Sequence, residues 1–290
     1  MMFKNFKKYF LIFTTLFLLV FVFILVKADW QKTNRIFTFA MLDVGQGDAL
    51  FIQSPTGTQV LFDGGPPRKI SNVLSKVMSP FDKTIDAIII TNPDQDHIGG
   101  FIDVLKNYKV GVMFESGTIS NSEVYKNLKN EIKNKKIPNI LAKKGMRLDL
   151  GGNVFIDILF PDRDVSHWAT NDGSTVARLT YKNTSIMLTG DAPMEVEKII
   201  LEEFSKEELE SDILKVGHHG SSGSSSFKFV QMVSPKYSLL SLGKDNRYGH
   251  PQKSTLSILS EVGSKILRTD ELGTIIMKIN GDMIEWKNVR

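Results

Sequence analysis

The sequence predicts a mixed α/β domain preceded by an apolar N-terminal segment. Three observations carry this. Apolar runs of strand length recur along the chain, among them Ala87–Ile90, Val154–Phe160 and Thr274–Ile279,. Between them lie segments with apolar residues at helical spacing, such as Ile98–Asn107, Ser122–Lys135 and Met194–Phe204,. Acidic and imidazole residues collect directly behind the strands, where α/β folds place their chemistry,.

A chain of 290 residues can fold as one large domain or two modest ones,. No Pro/Gly-rich linker interrupts it after residue 36, so the expected division is a cytoplasmic start and membrane anchor over 1–29, a linker over 30–36 and one domain over 37–290. There is no cysteine, which excludes thiolate metal ligands, disulfides and a lipid-acylated N-terminus,. The net charge of +4 permits a polyanionic substrate but does not demand one,.

Lys4, Lys7 and Lys8 precede an uncharged run from Tyr9 to Val26. At about 1.5 Å per residue this run nearly crosses a hydrocarbon core of roughly 30 Å, and it is longer than the core of a usual signal peptide. A single-pass signal anchor is expected, with the chain beyond it outside the cytoplasm because the basic flank stays inside. The alternative is a secreted protein, cleaved after Val26-Lys27-Ala28,.

Phe37–Leu42 reads as a strand ending in Asp43-Val44-Gly45-Gln46-Gly47-Asp48. Ala49–Gln53 and Val60–Phe62 form a hairpin that ends in Asp63-Gly64-Gly65,. Asp48 and Asp63 read first as turn formers, with support of a nearby ligand as the alternative. A helix over Ile70–Met78 is followed by the strand of Ala87–Ile90 and then by Thr91-Asn92-Pro93-Asp94-Gln95-Asp96-His97-Ile98-Gly99-Gly100. Two carboxylates and an imidazole in one turn can coordinate a cation, whereas a helix cap needs a single such residue. The two glycines let backbone approach closely.

Val110–Phe114 and Val154–Phe160 are further strands, with the Ser122–Lys135 helix between them. A polar loop carrying His167, Asn171 and Asp172 follows. The hairpin of Ser174–Tyr181 and Ser185–Leu188 ends in Thr189-Gly190-Asp191. Ile213–Val216 leads into Gly217-His218-His219-Gly220-Ser221-Ser222, and Tyr237–Ser241 leads to Tyr248-Gly249-His250-Pro251. A helix over Ser254–Val262 and strands over Ile266–Arg268, Thr274–Ile279 and Met283–Trp286 close the chain. Four of its five histidines thus lie at strand ends or in the loops behind them, as do Asp94, Asp96 and Asp191. That clustering points to a metal site.

On these motifs the chain resembles the metallo-β-lactamase superfamily, and within it the hydrolase domain of the DNA-uptake competence proteins of ComEC type. The matching stretches are Leu42–Ala49, Asp94–Gly100, Thr170–Asp172, Leu188–Asp191, Lys215–Ser221, Tyr248–Pro251 and Arg268–Asp270 with Gly273, all in the family's order. The resemblance implies an αβ/βα sandwich of four layers and metal-dependent hydrolysis, with nuclease activity for the competence subgroup. Carried over, Asp94 helps bind one cation, while Asp96, His97 and His218 bind the other and Asp191 bridges the two. Asn92 stands where the family usually has histidine, so the first of the two sites is the weaker.

A donor set richer in carboxylate than imidazole suits Mn²⁺ or Mg²⁺ ahead of Zn²⁺. The expected reaction is attack of metal-activated water on a phosphodiester, single-stranded DNA among the candidates, with Asp96 and Asp191 as catalytic groups. His219, Ser221, Ser222 and His250 are candidates to hold phosphate oxygens, and Lys244, Arg247 and Tyr248 to line a nucleic-acid groove. Two other readings remain. One is hydrolysis of another ester or amide, such as a cell-wall phosphodiester or a β-lactam; the other is a metal-impaired binding module. Membrane contact is expected through the N-terminal helix, and nothing calls for an obligate protein partner.

Overall fold

The structure is a computed structural model that describes residues 9, 10, 12–23 and 36–290. Among these residues fifteen strands form two sheets. The strands are β1 (Phe37–Met41), β2 (Leu50–Gln53), β3 (Gln59–Phe62), β4 (Thr84–Ile90), β5 (Lys109–Glu115), β6 (Asn139–Leu141), β7 (Arg147–Asp149) and β8 (Val154–Phe160). They continue as β9 (Val176–Tyr181), β10 (Thr184–Leu188), β11 (Ile213–Lys215), β12 (Tyr237–Leu240), β13 (Lys265–Arg268), β14 (Thr274–Asn280) and β15 (Met283–Val289). One sheet has the order β15-β14-β1-β2-β3-β4-β5-β6 and the other β13-β12-β11-β10-β9-β8-β7.

Side-chain alternation divides each strand between two cores. Phe37, Phe39 and Met41 point into the space between the sheets, where they meet Ile156, Leu179, Ile186 and Leu188 of the second sheet. Ala40 and Leu42 point the other way, under the helices of Ile70–Leu74, Phe101–Asn107 and Glu123–Asn134. Met187 and Leu214 of the second sheet likewise face the helices of Met194–Glu203, Phe227–Val233 and Lys253–Glu261. The result is the four-layer arrangement that the resemblance implied.

The helix of Glu123–Asn134 shows how the local sequence sets this. Ser122 caps it by accepting from the Tyr125 amide, a bond worth about 1 kcal/mol, and Tyr125, Leu128 and Ile132 form its buried stripe,. Leu128→Ala would cost about 2–5 kcal/mol because its site is wholly enclosed,.

Several expected bounds shift. The helix expected over Ile70–Met78 stops at Leu74, after which tight turns bond Val77 N and Met78 N back to Leu74 O. The segment expected as one helix from Ile98 is two, Gln95–Ile98 and Phe101–Asn107, broken at Gly99-Gly100. There the helical ladder is diverted: the Asp96 and His97 carbonyls accept from the Asp48 and Gly64 amides and the Gly100 amide donates to Gly65 O, an approach so close that a Cβ on Gly100 would sit 2.0 Å from the Gly64 carbonyl oxygen. The close approach expected of that glycine pair is therefore present, and it brings the Gly64 amide 2.6 Å from the His97 carbonyl oxygen.

Tyr9, Phe10 and residues 12–23 are helical with exposed side chains. Leu11 and residues 24–26 of the expected anchor, and residues 30–35 of the expected linker, lie outside the described residues. Among the described residues no helix is long and apolar enough to cross a membrane.

Parallel pairing positions the site. β3 and β4 run parallel in one sheet, as do β10, β11 and β12 in the other, so within each group the C-terminal ends lie together. Asp63 follows β3, Thr91–His97 follows β4, Asp191 follows β10, Lys215 ends β11 and Ser241 follows β12.

Candidate metal centre

His97, Asp191 and His219 meet at this edge. His97 Nε2 lies 3.1 Å and His219 Nε2 3.6 Å from Asp191 Oδ2. All three side chains are buried. Asp96 Oδ2 is 3.4 Å from His219 Nε2 but keeps about a third of its side chain exposed (35 %). Asp48 lies behind, its Oδ1 3.4 Å from His219 Nδ1 and its Oδ2 paired with Lys215. Among the described residues three overlapping groups have donor atoms within 4.8 Å of one another and so the spacing to hold an ion: Asp96, His97 and His219; Asp48, Asp191 and His219; and Asp48, Asp63 and His97.

Each imidazole is oriented from behind. Asp63 accepts from the Thr91 amide at 2.8 Å and the Thr91 hydroxyl at 2.6 Å, and its Oδ2 lies 2.8 Å from His97 Nδ1. His219 Nδ1 lies 2.7 Å from the Ser241 carbonyl oxygen, which can only accept, so Nδ1 carries the proton. Both rings thereby turn Nε2 toward Asp191, the arrangement in which a partner on one nitrogen fixes the other as ligand.

Buried Nε2 atoms of His97 and His219 and Oδ1 of Asp191 make no hydrogen bond. Unmet buried polar atoms cost about 1–3 kcal/mol each, and several at one point need a common partner. The four carboxylates of Asp48, Asp63, Asp96 and Asp191 face one permanent cation, Lys215. The donor set fits a divalent cation.

The titration of these groups reports the same field. Burial alone would favour the neutral form of Asp48, yet Lys215, His219 and His97 bring its pKa down to about 2. Burial likewise opposes charge on Asp191, and His97 and His219 overcome it, holding the carboxyl well below the usual range. Burial disfavours a protonated His219, but Asp191 and Asp48 push its pKa up to about 10. His97 is raised in the same manner, by Asp191 and Asp63. Without a cation, protons occupy the place that positive charge is drawn to.

Lys215 is the residue that sequence reasoning passed over. It is wholly buried (1 % exposed), donates to the Gly190 carbonyl oxygen at 2.7 Å and stands 3.5 Å from Asp191 Oδ1. Burial would lower its pKa, but Asp48 and Asp191 raise it, so it remains an ammonium ion. Its signal was one lysine inside the apolar strand Ile213–Val216. Asp48 and Asp63, read first as turn formers, support the ligands.

The expected residues divide. Asp96, His97 and Asp191 come together. His219, expected to touch substrate, sits among the carboxylates, whereas His218, expected as a ligand, stands at the rim, 34 % exposed and 3.8 Å from Asp191 Oδ2. Left-handed backbone at both residues (φ 46° and 54°) sends the two rings different ways,. Asp94 lies apart from the three groups and accepts from the Thr170 hydroxyl at 2.9 Å, with burial raising its pKa. The Asn92 carbonyl is used by the turn itself, accepting from the Asp94 amide at 2.9 Å, and its buried Nδ2 has no partner. Asn171, close to Thr170 in the chain, has a buried Oδ1 without a partner.

His250 lies beside His218, ring centroids 5.8 Å apart. Ser222 is exposed, while Ser221 Oγ accepts from the Gly223 amide at 3.2 Å. The serine run is anchored: buried Glu197 accepts from the Ser225 and Ser226 amides, and Ser225 Oγ accepts from the Gly217 amide at 3.1 Å.

Residues 42–244 match the sequence profile of the Metallo-beta-lactamase superfamily. ComE operon protein 3 of Bacillus subtilis (strain 168) is 33 % identical over 261 residues, covering 81 % of this chain and 32 % of its own length. Recombination protein 2 of Haemophilus influenzae is 27 % identical over 277 residues, covering 94 % of this chain and 32 % of its own. Competence protein ComA of Neisseria gonorrhoeae is 26 % identical over 234 residues, covering 80 % of this chain and 31 % of its own. The chain thus spans about a third of the length of these relatives. Among solved structures, the metallo-beta-lactamase fold protein YhfI from Bacillus subtilis superposes with a TM-score of 0.50 at 16 % identity, covering 80 % of this chain and 96 % of YhfI. The diiron β-hydroxylase CmlA from Streptomyces venezuelae gives 0.57 at 14 % identity, covering 85 % of this chain and 55 % of CmlA, a likeness of fold alone. Fold, ligand-bearing strand ends and sequence profile agree: this chain belongs to the metallo-β-lactamase superfamily.

Proposed function

We propose that this chain is a metal-dependent phosphodiesterase that cleaves nucleic acid outside the cytoplasm, held at the membrane by its N-terminal apolar segment. The observation that carries the hydrolytic reading is the pair of imidazoles, each tied at Nδ1 and each presenting an unpartnered Nε2 to Asp191. Asp96, His97, Asp191 and His219 would hold one divalent cation, with Mn²⁺ or Mg²⁺ suited to the excess of carboxylate. Asp94 and the Asp191 bridge would take part in a second, weaker site. A cation there supplies Lewis acidity toward a phosphoryl oxygen and lowers the pKa of a bound water.

The chain's own groups do the rest. Asp96 reaches the open cleft, and its carboxyl, which burial would raise, is lowered by the neighbouring His219 and His97 rings. Ionised at neutral pH, it is placed to take a proton from water. His218 and His250 at the rim can hold phosphate oxygens; burial and then His218 lower the His250 pKa, so it enters as a neutral donor. The names of the competence relatives favour DNA among phosphodiesters.

The full-length chain, supplied with Mn²⁺, Mg²⁺ or Zn²⁺, should cleave single-stranded DNA and bis(p-nitrophenyl) phosphate, and Asp191→Ala should abolish both. Hydrolysis of a β-lactam in place of either phosphodiester would overturn the reading. Carbonate extraction and N-terminal sequencing address the anchor. Expected is an uncleaved, membrane-retained protein; a new N-terminus after Ala28 would replace the anchor with secretion.

A further inference from the structure

A row of rings leads away from the metal centre. His219 packs edge-on to His218 at 6.1 Å between centroids, His218 edge-on to His250 at 5.8 Å, and His250 parallel to Tyr248 at 5.9 Å and 11°. The row starts at a buried imidazole and ends at a half-exposed tyrosine. Parallel rings in contact lie about 3.5 Å apart. A centroid separation of 5.9 Å therefore means that the two overlap only at their edges. Most of the Tyr248 face is left uncovered by His250.

Tyr248 lines an open cleft of about 510 Å³ together with Asp96 and Gln95 of the metal-centre turn and with Asn246 and Arg247. Arg247 completes the shelf: its guanidinium lies 4.9 Å from the Tyr248 centroid and donates to the Tyr248 hydroxyl at 2.8 Å. The loop is built to hold these side chains in place. Asn246 Nδ2 donates to the Gly243 and His250 carbonyl oxygens, at 3.1 and 2.7 Å, and its Oδ1 accepts from the His250 amide at 3.0 Å. Gly243 presses on the Asp43–Asp48 turn, where a Cβ would stand 2.8 Å from Gln46 N. An exposed aromatic on a pinned loop loses little freedom when it binds a flat partner.

We propose that Tyr248, with Arg247, is a nucleobase-stacking subsite that makes the enzyme select single-stranded nucleic acid. It rests on the phosphodiesterase reading and names the substrate class of that site. Every base has a π-face and every guanidinium can stack on one, so the shelf accepts bases without regard to sequence. In a duplex those faces are occupied by neighbouring bases. The base of a nucleotide near the scissile bond lies on the shelf while its phosphate reaches the rim histidines. Tyr248 positions substrate and takes no part in bond cleavage.

The test compares oligothymidylate with a base-free tetrahydrofuran phosphodiester of equal length, using the full-length chain in Mn²⁺. Steady-state constants are measured on both, and dissociation constants by anisotropy of the labelled oligomers. The wild type should favour the oligomer with bases roughly 5- to 150-fold, the range that one stacked base supplies. In Tyr248→Ala this ratio should fall to near one through KM rather than kcat. Tyr248→Phe should keep it and Tyr248→Trp should raise it.

A wild type that cleaves both oligomers alike overturns the inference and leaves the phosphodiesterase reading intact. So does a Tyr248→Ala enzyme that keeps the preference. If neither oligomer is cleaved with any metal, the phosphodiesterase reading fails, and the dissociation constants decide the shelf. Equal constants overturn it; a preference that Tyr248→Ala removes supports base recognition by the shelf.

Discussion

The two halves of the candidate metal centre are built differently. Around His97, Asp191 and His219 the three side chains are buried, each imidazole is held at Nδ1 by Asp63 or by the Ser241 carbonyl, and further carboxylates stand beside them. Around Asn92 and Asp94 the amide oxygen is used by its own turn, and the carboxylate is half-buried and tied to Thr170. The difference teaches that a ligand is made by what stands behind it as much as by its residue type. The dense half has supports, whereas in the sparse half the Asn92 amide oxygen and the Asp94 carboxylate are already engaged, by the Asp94 amide and the Thr170 hydroxyl.

The largest effect should come from Lys215→Met. Removing the ammonium leaves Asp48 and Asp191 buried without their counter-charge. The metal-free protein should lose about 3–5 kcal/mol in denaturant unfolding, and Mn²⁺ should restore part of it. If stability is unchanged, the dense half is not the strongly charged region described here.

Asp191→Ala should lower phosphodiester turnover on the order of 10³-fold, since several kcal/mol of charge stabilisation depends on the cation it helps hold. Asp94→Ala should cost markedly less. Equal losses would erase the distinction between the halves. Asp63→Asn should weaken metal binding about 10- to 100-fold by calorimetry, because His97 loses its orienting carboxylate.

The pH dependence of loading sharpens the same point. With its pKa near 10, the His219 ring carries a second proton at neutral pH when no cation is present. Raising the pH removes that competitor, so apparent Mn²⁺ affinity should climb about tenfold per pH unit for each proton released. Calorimetry in buffers of different ionisation enthalpy counts those protons; none released would contradict the assignment.

Asn92→His should have the smallest effect. It adds an imidazole to the sparse half but removes the bond to the Asp94 amide, worth about 1 kcal/mol,. A modest tightening of a second Mn²⁺ is expected, and no change would mean that position 92 does not face it.

Much of this was legible in the sequence. Alternation within Phe37–Leu42 and the apolar run Ala87–Ile90 gave strands whose acidic ends are where the chemistry lies. β6 and β7 were missed because each has three residues, mostly exposed, and so lacks a hydrophobic pattern. Which of His218 and His219 is buried and which stands at the rim could not be read, since adjacent identical residues differ only in backbone angles that tertiary packing sets. Lys215 and Glu197 were passed over for one reason: a charge in an apolar strand or on an amphipathic helix declares its burial only when its partners arrive from distant segments.

His97 leaves one sheet, whereas Asp191 and His219 leave the other. An ion gripped by all three is a rivet through the seam of the sandwich. Loading should raise the melting temperature in step with ion concentration, by mass action on the folded state alone. Chelation should loosen the seam first at this edge, which amide exchange in β4 and β10 would register ahead of the far ends of the sheets.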